Sequence, residues 1–147
     1  MLSRDLEVAL LDIRSKRHKL IFICSNNNYF NTSDAEQILS KTSINLNLLI
    51  SEKLMNIPIA RYPLEVNSFV QEIIRNENKL VCFNHIDILF SPKLKINPVK
   101  LFENISKHIK VIVYWPGTYK NETLYYAKPG HPEYFRCKEL EGIVLEV

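Results

Sequence analysis

Three short apolar runs alternate along the chain with helical patterns, and they constrain its fold more than any other feature. The runs are Lys-Leu-Ile-Phe-Ile-Cys at 19–24, Leu-Val-Cys-Phe at 80–83 and Val-Ile-Val-Tyr-Trp at 111–115. A short apolar run between polar residues is typical of a strand that is buried on both faces. Strands that alternate with helices favour a parallel sheet covered by helices on both faces.

The other expected elements follow from the spacing of the apolar residues. Apolar positions at helical spacing predict helices over residues 2–13, 33–41, 64–74 and 98–105, the last begun by Asn97-Pro98. The alternating residues 44–48 predict a strand with one polar face, and Ser51 is expected to cap a short helix through Met55. Later strands are expected at 123–127 and 143–145. The expected fold class is α/β, with a mainly parallel five-stranded sheet.

The stretch after the first apolar run has the frame of a phosphate-binding loop. Ser33-x-x-Glu36 is a capping box that begins a helix, and eight polar or aromatic residues separate it from the strand. Strand, eight-residue loop and helix are the frame of a P-loop. The candidate phosphate-loop residues are Ser25, Asn26, Asn27, Asn28, Tyr29, Phe30, Asn31 and Thr32.

Most of the P-loop chemistry is missing from that frame. The motif requires Gly, four residues, then Gly-Lys-Ser/Thr, and only Thr32 fits. Phe30 cannot easily take the left-handed conformations of glycine, and Asn31 brings no charge to a phosphate. A hydrogen bond to a charged group contributes about 1.5–3 kcal/mol, so the absent lysine weakens nucleotide binding. Two interpretations stay open: an ordinary connection, or a nucleotide site that has decayed.

A second signature of P-loop proteins is an acid at the end of an apolar strand, where it holds the Mg²⁺ shell. Asn84 stands at that place after residues 80–83, and an amide lacks the charge that a hard cation prefers. His85 follows at the edge of the sheet where ligands bind. Asp87 is the candidate catalytic residue because it could polarise a water, although a surface carboxylate is the alternative. With both charged groups replaced, self-sufficient nucleotide hydrolysis is not expected.

Composition places the chain among single globular domains and excludes several classes. Its 147 residues suit one domain spanning 1–147, and the net charge of +3 is too small for a dedicated nucleic-acid binder. Basic residues do concentrate at 14–19 and at Lys93, Lys95, Lys100, Lys107 and Lys110, near Phe102 and Tyr114. They indicate either a nucleic-acid contact or solvated faces, and the core is the expected place for Phe102.

The cysteine pattern and the hydropathy of the chain indicate its cellular compartment. Cys24, Cys82 and Cys137 are odd in number and far apart, which favours free thiols in a reducing cytoplasm over a zinc site or disulfides. No apolar run reaches membrane-spanning length, and the N-terminal residues do not form a signal peptide. We therefore expect a cytoplasmic protein with no metal and no membrane partner.

Three segments carry a resemblance to a known family. Asn84-His-Ile-Asp-Ile-Leu-Phe90, Val-Tyr-Trp-Pro-Gly117 and above all Leu124-Tyr-Tyr-Ala-Lys-Pro-Gly-His-Pro-Glu-Tyr134 resemble the BrxF family, the small P-loop proteins of type 3 BREX phage-defence systems. The resemblance covers about residues 19–134 and implies a three-layer αβα P-loop NTPase fold. It implies that Thr32 matches the hydroxyl beside Mg²⁺ and Asp87 the acid after the strand, whereas Asn31 and Asn84 depart from the family pattern.

The expected function combines a P-loop scaffold that is kept with charged nucleotide-binding groups that are replaced by neutral ones. The resemblance implies a degenerate, non-hydrolysing subunit that acts in phage defence through contacts with other BREX subunits, with DNA contact through the complex and no cofactor of its own. The alternative is an ATP- and Mg²⁺-dependent NTPase whose site is completed by a partner. A nucleic-acid-binding module is the third interpretation.

Overall fold

The computed structural model describes residues 2–25, 43–76 and 79–147, and in it the apolar runs form the interior of a five-stranded parallel sheet. The strands of this sheet are β1 Leu20–Cys24, β2 Ile44–Asn45, β3 Leu80–Asn84, β4 Lys110–Trp115 and β8 Ile143–Glu146. Their order across the sheet is β2-β3-β4-β1-β8, and all four neighbouring pairs are parallel. The prediction of an α/β fold with a mainly parallel five-stranded sheet is confirmed.

Helices flank both faces of this sheet. In the described ranges the α-helices are α1 Leu2–Asp12, α2 Leu46–Leu54, α3 Tyr62–Arg75 and α4 Pro98–Ile105. Within β1, Phe22 and Cys24 pack into the core shared with α2, α3 and α4, whereas Ile21 and Ile23 pack with Leu6 of α1. Successive side chains of a strand point to opposite faces, so covering both faces requires a continuous apolar run.

A second, smaller sheet follows β4 and is antiparallel. Its strands are β5 Thr118–Lys120, β6 Thr123–Tyr126 and β7 Phe135–Cys137. Asn121 and Glu122 join β5 to β6, and both have a positive φ (52° and 59°), as a tight two-residue hairpin turn requires. The sequence predicted the strand at 123–127, which ends one residue earlier, but it did not predict β5 or β7.

The predicted strand at 44–48 is wrong beyond its first two residues. Only Ile44–Asn45 form a strand, and α2 begins at Leu46. The Asn45 side chain caps this helix by accepting a hydrogen bond from the Leu48 backbone N–H at 3.0 Å. Ser51 therefore lies inside the helix and caps nothing. The alternating pattern led to a wrong prediction because its polar residues form hydrogen bonds at the start of a helix and do not line one face of a strand.

The remaining predicted elements agree with the structure where it describes them. Asn97 caps α4 by accepting from the Lys100 N–H at 3.1 Å, and α3 carries Pro63 in its first turn. The predicted helix at 33–41 and the loop at 26–32 lie outside the described residues. Over the ranges that are described, no helix combines the length and apolar character needed to cross a membrane.

Candidate functional site at the carboxyl edge of the sheet

The carboxyl ends of the parallel strands meet at one edge, where the candidate residues were expected. β1 ends at Cys24, which is level with Trp115 of β4 and Glu146 of β8. β4 separates β1 from β3, so the two strand ends lie about 10 Å apart at the usual strand spacing. Asn84 ends β3 at this edge, and Ser25 directly follows β1. The structure therefore brings Ser25 and Asn84 to the same edge, while residues 26–32 lie outside the described part of the chain.

Asn84 presents a buried amide oxygen at the end of β3. Its Oδ1 atom is buried and has no hydrogen-bond partner within the described residues. A buried acceptor without a partner is costly, by about 1–3 kcal/mol, so such groups call for a physical explanation. The amide oxygen is a competent acceptor for a donor or a cation, but it has no formal charge with which to hold a divalent ion.

The turn after β3 is fixed by α2. His85 is exposed and has a φ of 46°, an uncommon conformation for a residue with a Cβ. Its carbonyl accepts a hydrogen bond from the Asn47 backbone N–H at 2.8 Å, and the Asn47 side-chain oxygen accepts from the Ile88 N–H at 2.7 Å. These two bonds hold the backbone on either side of Asp87, so the position of its side chain is set by the fold.

Asp87 is already engaged within the protein. The Tyr126 hydroxyl donates to its Oδ2 at 2.9 Å, and the Tyr126 ring stacks on Phe90 with centroids 3.8 Å apart and planes 11° from parallel. Burial and then the hydrogen bond to Asp87 raise the pKa of Tyr126 above its usual range, so the phenol keeps its proton. A candidate catalytic carboxylate thus shares one of its oxygens with a tyrosine from the small sheet.

Aromatic side chains surround this pair and join the two sheets. Trp115 meets Phe90 edge to face, with centroids 5.4 Å apart, and its Nε1–H donates to the Tyr125 carbonyl at 2.9 Å. The aromatic cluster consists of Phe22, Phe90, Trp115, Tyr126 and Phe135. Because these rings bury large apolar areas, the small sheet is held firmly against β1, β4 and the turn that carries Asp87.

Cys24 supplies no nucleophile beside the candidate loop. Burial, and then the nearby Glu146 carboxylate, raise the pKa of the Cys24 thiol to about 12. The Val147 backbone N–H donates to the Cys24 carbonyl at 2.9 Å, which continues the pairing of β1 with β8. The thiol is protonated at neutral pH, and only the thiolate is strongly nucleophilic.

The basic stretch around α4 lacks the aromatic platforms that bind single-stranded nucleic acid. Phe102 is fully buried, as predicted, and Tyr114 is also buried. Lys100 is exposed but pairs with Glu103 at 3.3 Å. Base stacking needs an accessible ring, which neither aromatic residue offers. Contact with DNA through the remaining exposed lysines stays a prediction.

Comparison with protein-family models, with curated proteins and with solved structures finds no match for this chain. The BrxF resemblance and the P-loop assignment therefore stay predictions from the sequence. Among the residues that the structure describes, no group of three or more His, Cys, Asp or Glu side chains is placed to hold a metal ion.

Two residues that shape the site were not found from the sequence. Asn47 and Tyr126 both hold the turn around Asp87, yet they lie 41 and 39 residues from their hydrogen-bond partners. The signal for Tyr126 was present in part, since alternation along β6 places it on the same side as the buried Leu124. No comparable pattern distinguishes Asn47 from the other asparagines of the chain.

Proposed function

We propose that this protein is a non-hydrolysing subunit of a BREX-type phage-defence assembly, which keeps the α/β scaffold of a P-loop NTPase and acts through contacts with other subunits. The observation that supports this proposal best is the chemistry at the end of β3. A neutral amide, Asn84, stands where a Mg²⁺-holding acid is needed, and Asp87 is hydrogen-bonded to Tyr126. The assignment to phage defence rests on the sequence resemblance.

Electrostatics favour a role without triphosphate. A nucleotide bound with Mg²⁺ requires cationic donors for its phosphates and carboxylates or hydroxyls for the metal. At this edge, Cys24 is a neutral thiol, Asn84 is a neutral amide and the indole of Trp115 donates to a carbonyl of its own chain. The strand ends that the structure describes therefore supply no cationic side chain for the phosphates of a nucleotide.

Isothermal titration of the isolated protein with ATP and Mg²⁺ tests this function. We expect no saturable heat at concentrations up to about 1 mM, where binding free energy would be only about 4 kcal/mol. Micromolar affinity would overturn the proposal. Thermal unfolding with and without the nucleotide gives an independent readout, because a ligand that binds the native state raises the midpoint.

An NTPase completed by a partner is the second candidate, and the buried Oδ1 of Asn84 favours it. This acceptor has no partner among the described residues and belongs to the last residue of β3, at the edge where a ligand would lie. A partner would then supply Lys or Arg in trans. In the assembled complex, Asp87→Ala should abolish hydrolysis whereas Tyr126→Phe should retain it. Unchanged turnover in the Asp87→Ala complex would exclude this candidate.

A further inference from the structure

Large apolar side chains are exposed where α2 ends and α3 begins. We infer that this surface docks an acidic, amphipathic helix of a partner protein. The α2–α3 surface is defined by Met55 and Ile59 together with the facing residues 91–95. This inference rests on the proposed function, since it names the surface and the partner chemistry through which a subunit of this kind would act.

These large apolar side chains remain in contact with solvent in the folded protein. Met55 is 78% exposed and Ile59 54%, and each of them lines one of two neighbouring concavities. Single exposed apolar residues are ordinary, but a cluster of them around a concave surface marks an interaction site. Burying a side chain of this size against a partner contributes favourably to binding, roughly in proportion to the apolar area covered.

The α2–α3 surface contains two neighbouring concavities. One has a volume of about 300 Å³ and lies between Ile59 and Pro63 on one side and the segment Pro92–Lys95 on the other. The second, of about 250 Å³, is lined by Met55, Tyr62 and Leu94, among others. The two concavities adjoin each other. Tyr62 and Ser91 line the second, and the residues that follow them in sequence, Pro63 and Pro92, line the first.

Rigid backbone keeps these concavities in shape. Pro58, Pro63 and Pro92 fix φ at three points around them, and the Arg61 N–H donates to the Pro58 carbonyl at 2.9 Å. The Leu94 N–H donates to the Ser91 carbonyl at 3.1 Å on the opposite wall. A preformed groove loses little conformational entropy on binding, so more of the contact free energy appears as affinity.

The charge at the groove selects the partner. Lys93 and Lys95 are exposed and line the first concavity. Residues 51–65 and 91–96 carry four cations and two carboxylates, and one of those carboxylates, Glu65, is bound to Arg61 at 2.7 Å. The wall facing Ile59 is therefore cationic, and it complements a ligand that carries carboxylates beside apolar side chains.

An acidic helix fits this combination better than nucleic acid does. Phosphates would pair with Lys93 and Lys95 but would leave Met55 and Ile59 in contact with water. A helix that places apolar residues at i, i+3, i+4 and i+7 lays that face into an apolar groove, and glutamates on its flanks reach the lysine rim. The apolar and cationic parts of the surface are both satisfied only by such a peptide.

The test uses a fluorescein-labelled peptide of about 18 residues, with leucines on one helical face and glutamates on its flanks. Fluorescence anisotropy should give a Kd of the order of 10 μM that weakens with salt. Lys93→Glu combined with Lys95→Glu, and separately Met55→Asp, should each weaken binding about tenfold. Leu11→Asp is the matched control, because Leu11 is 61% exposed on α1, and it should leave Kd unchanged.

Several results would overturn the inference. The inference fails if a peptide with lysines in place of the glutamates binds equally well, or if neither α2–α3 variant changes Kd. It also fails if the protein prefers a DNA duplex and the combined Lys93→Glu and Lys95→Glu substitutions abolish that binding. Light scattering that shows a dimer which Met55→Asp dissociates would assign the surface to a second copy instead. Ile59→Asp replaces Met55→Asp if circular dichroism shows that the latter does not fold.

The experiment separates this inference from the function on which it rests. Nucleotide binding in the ATP titration would overturn the proposed function while leaving the α2–α3 surface and its peptide affinity intact. If no nucleotide binds and the α2–α3 variants bind the peptide with the same Kd as the wild type, only the docking surface is overturned.

Discussion

The Tyr126 hydroxyl donates a 2.9 Å hydrogen bond to the Asp87 carboxylate, and this contact ties the small antiparallel sheet to the turn after β3. The Tyr126 ring lies flat on Phe90, three residues beyond Asp87, so the phenol is held by stacking as well as by its hydroxyl. The pair joins two parts of the chain that are distant in sequence, and it keeps the candidate carboxylate in one place.

Tyr126→Phe should therefore destabilise the protein by about 1–2 kcal/mol. A hydrogen bond to a charged group contributes about 1.5–3 kcal/mol, and partial exposure of this pair moves the expected loss toward the lower end. Urea unfolding followed by fluorescence of Trp115, the single tryptophan, measures the change. Tyr134→Phe is the control, because no hydrogen bond of the Tyr134 hydroxyl occurs among the described residues. Identical midpoints for wild type and Tyr126→Phe would contradict the prediction.

The same tyrosine should make stability sensitive to alkaline pH. Burial and then the hydrogen bond to Asp87 raise the pKa of Tyr126 above the value of about 10 in the unfolded chain. The folded state thus favours the protonated phenol, so this contribution is complete below about pH 10 and is lost as pH rises through the folded pKa.

The comparison with Tyr126→Phe isolates this contribution. The stability difference between wild type and the variant should be constant from about pH 7 to 9 and should shrink above about pH 10. Burial also raises the pKa of Tyr119, but that residue is present in both proteins and its effect cancels. A difference that grows with alkaline pH would have the wrong sign for this account.

The sequence predicted the central sheet because burial on both faces leaves an unmistakable pattern. The runs at 20–24, 80–83 and 111–115 are apolar at every position, which only a doubly covered strand or a buried helix requires. The small sheet has no such signal. β5 and β7 are three residues long and partly exposed, so their pairing is set by contacts with the aromatic cluster and not by a local period.

The candidate site was predictable in position but not in its contacts. Parallel strands place Asn84 and Ser25 at the same edge once the sheet is known. The hydrogen bond between Asp87 and Tyr126 depends on how the small sheet packs, which no local pattern in either segment specifies. The residues of a functional edge can thus be found from strand ends, whereas their partners require the tertiary structure.

Glu103 should be the most costly carboxylate to truncate among those the structure describes in α4 and the loop before β8. It is almost fully buried, its Oε1 meets the exposed Lys100 ammonium at 3.3 Å, and its Oε2 accepts from the Glu141 backbone N–H at 3.0 Å. Glu103→Ala should cost about 2–3 kcal/mol, because it leaves that N–H without its acceptor. Glu103→Gln should cost about half as much, since an amide oxygen still accepts.

Urea unfolding measures the stability of the Glu103→Ala and Glu103→Gln variants, and Lys100→Ala is the control. The Lys100 side chain is exposed, so its removal should change the unfolding midpoint little. If Glu103→Ala and Lys100→Ala were equally destabilising, the ion pair and not the bond to Glu141 would be the important contact.

Gly117→Ala should disrupt the connection between the two sheets. A Cβ at Gly117 would lie 1.8 Å from the Tyr125 carbonyl oxygen, which accepts the hydrogen bond from Trp115 Nε1. The obstacle is backbone in a paired strand, so the hairpin must move and the Trp115 bond must lengthen or break. We expect a loss of more than about 3 kcal/mol, together with red-shifted native fluorescence as water reaches the indole.

Gly130→Ala is the matched control, because a Cβ there meets no atom within 4 Å. Its φ of 92° makes alanine unfavourable, so a smaller loss of about 1 kcal/mol is expected, with the native emission of Trp115 unchanged. Urea unfolding and the emission maximum are measured on both variants. Equal losses, or an unshifted Trp115 emission in Gly117→Ala, would show that the hairpin accommodates the methyl group without moving away from the tryptophan.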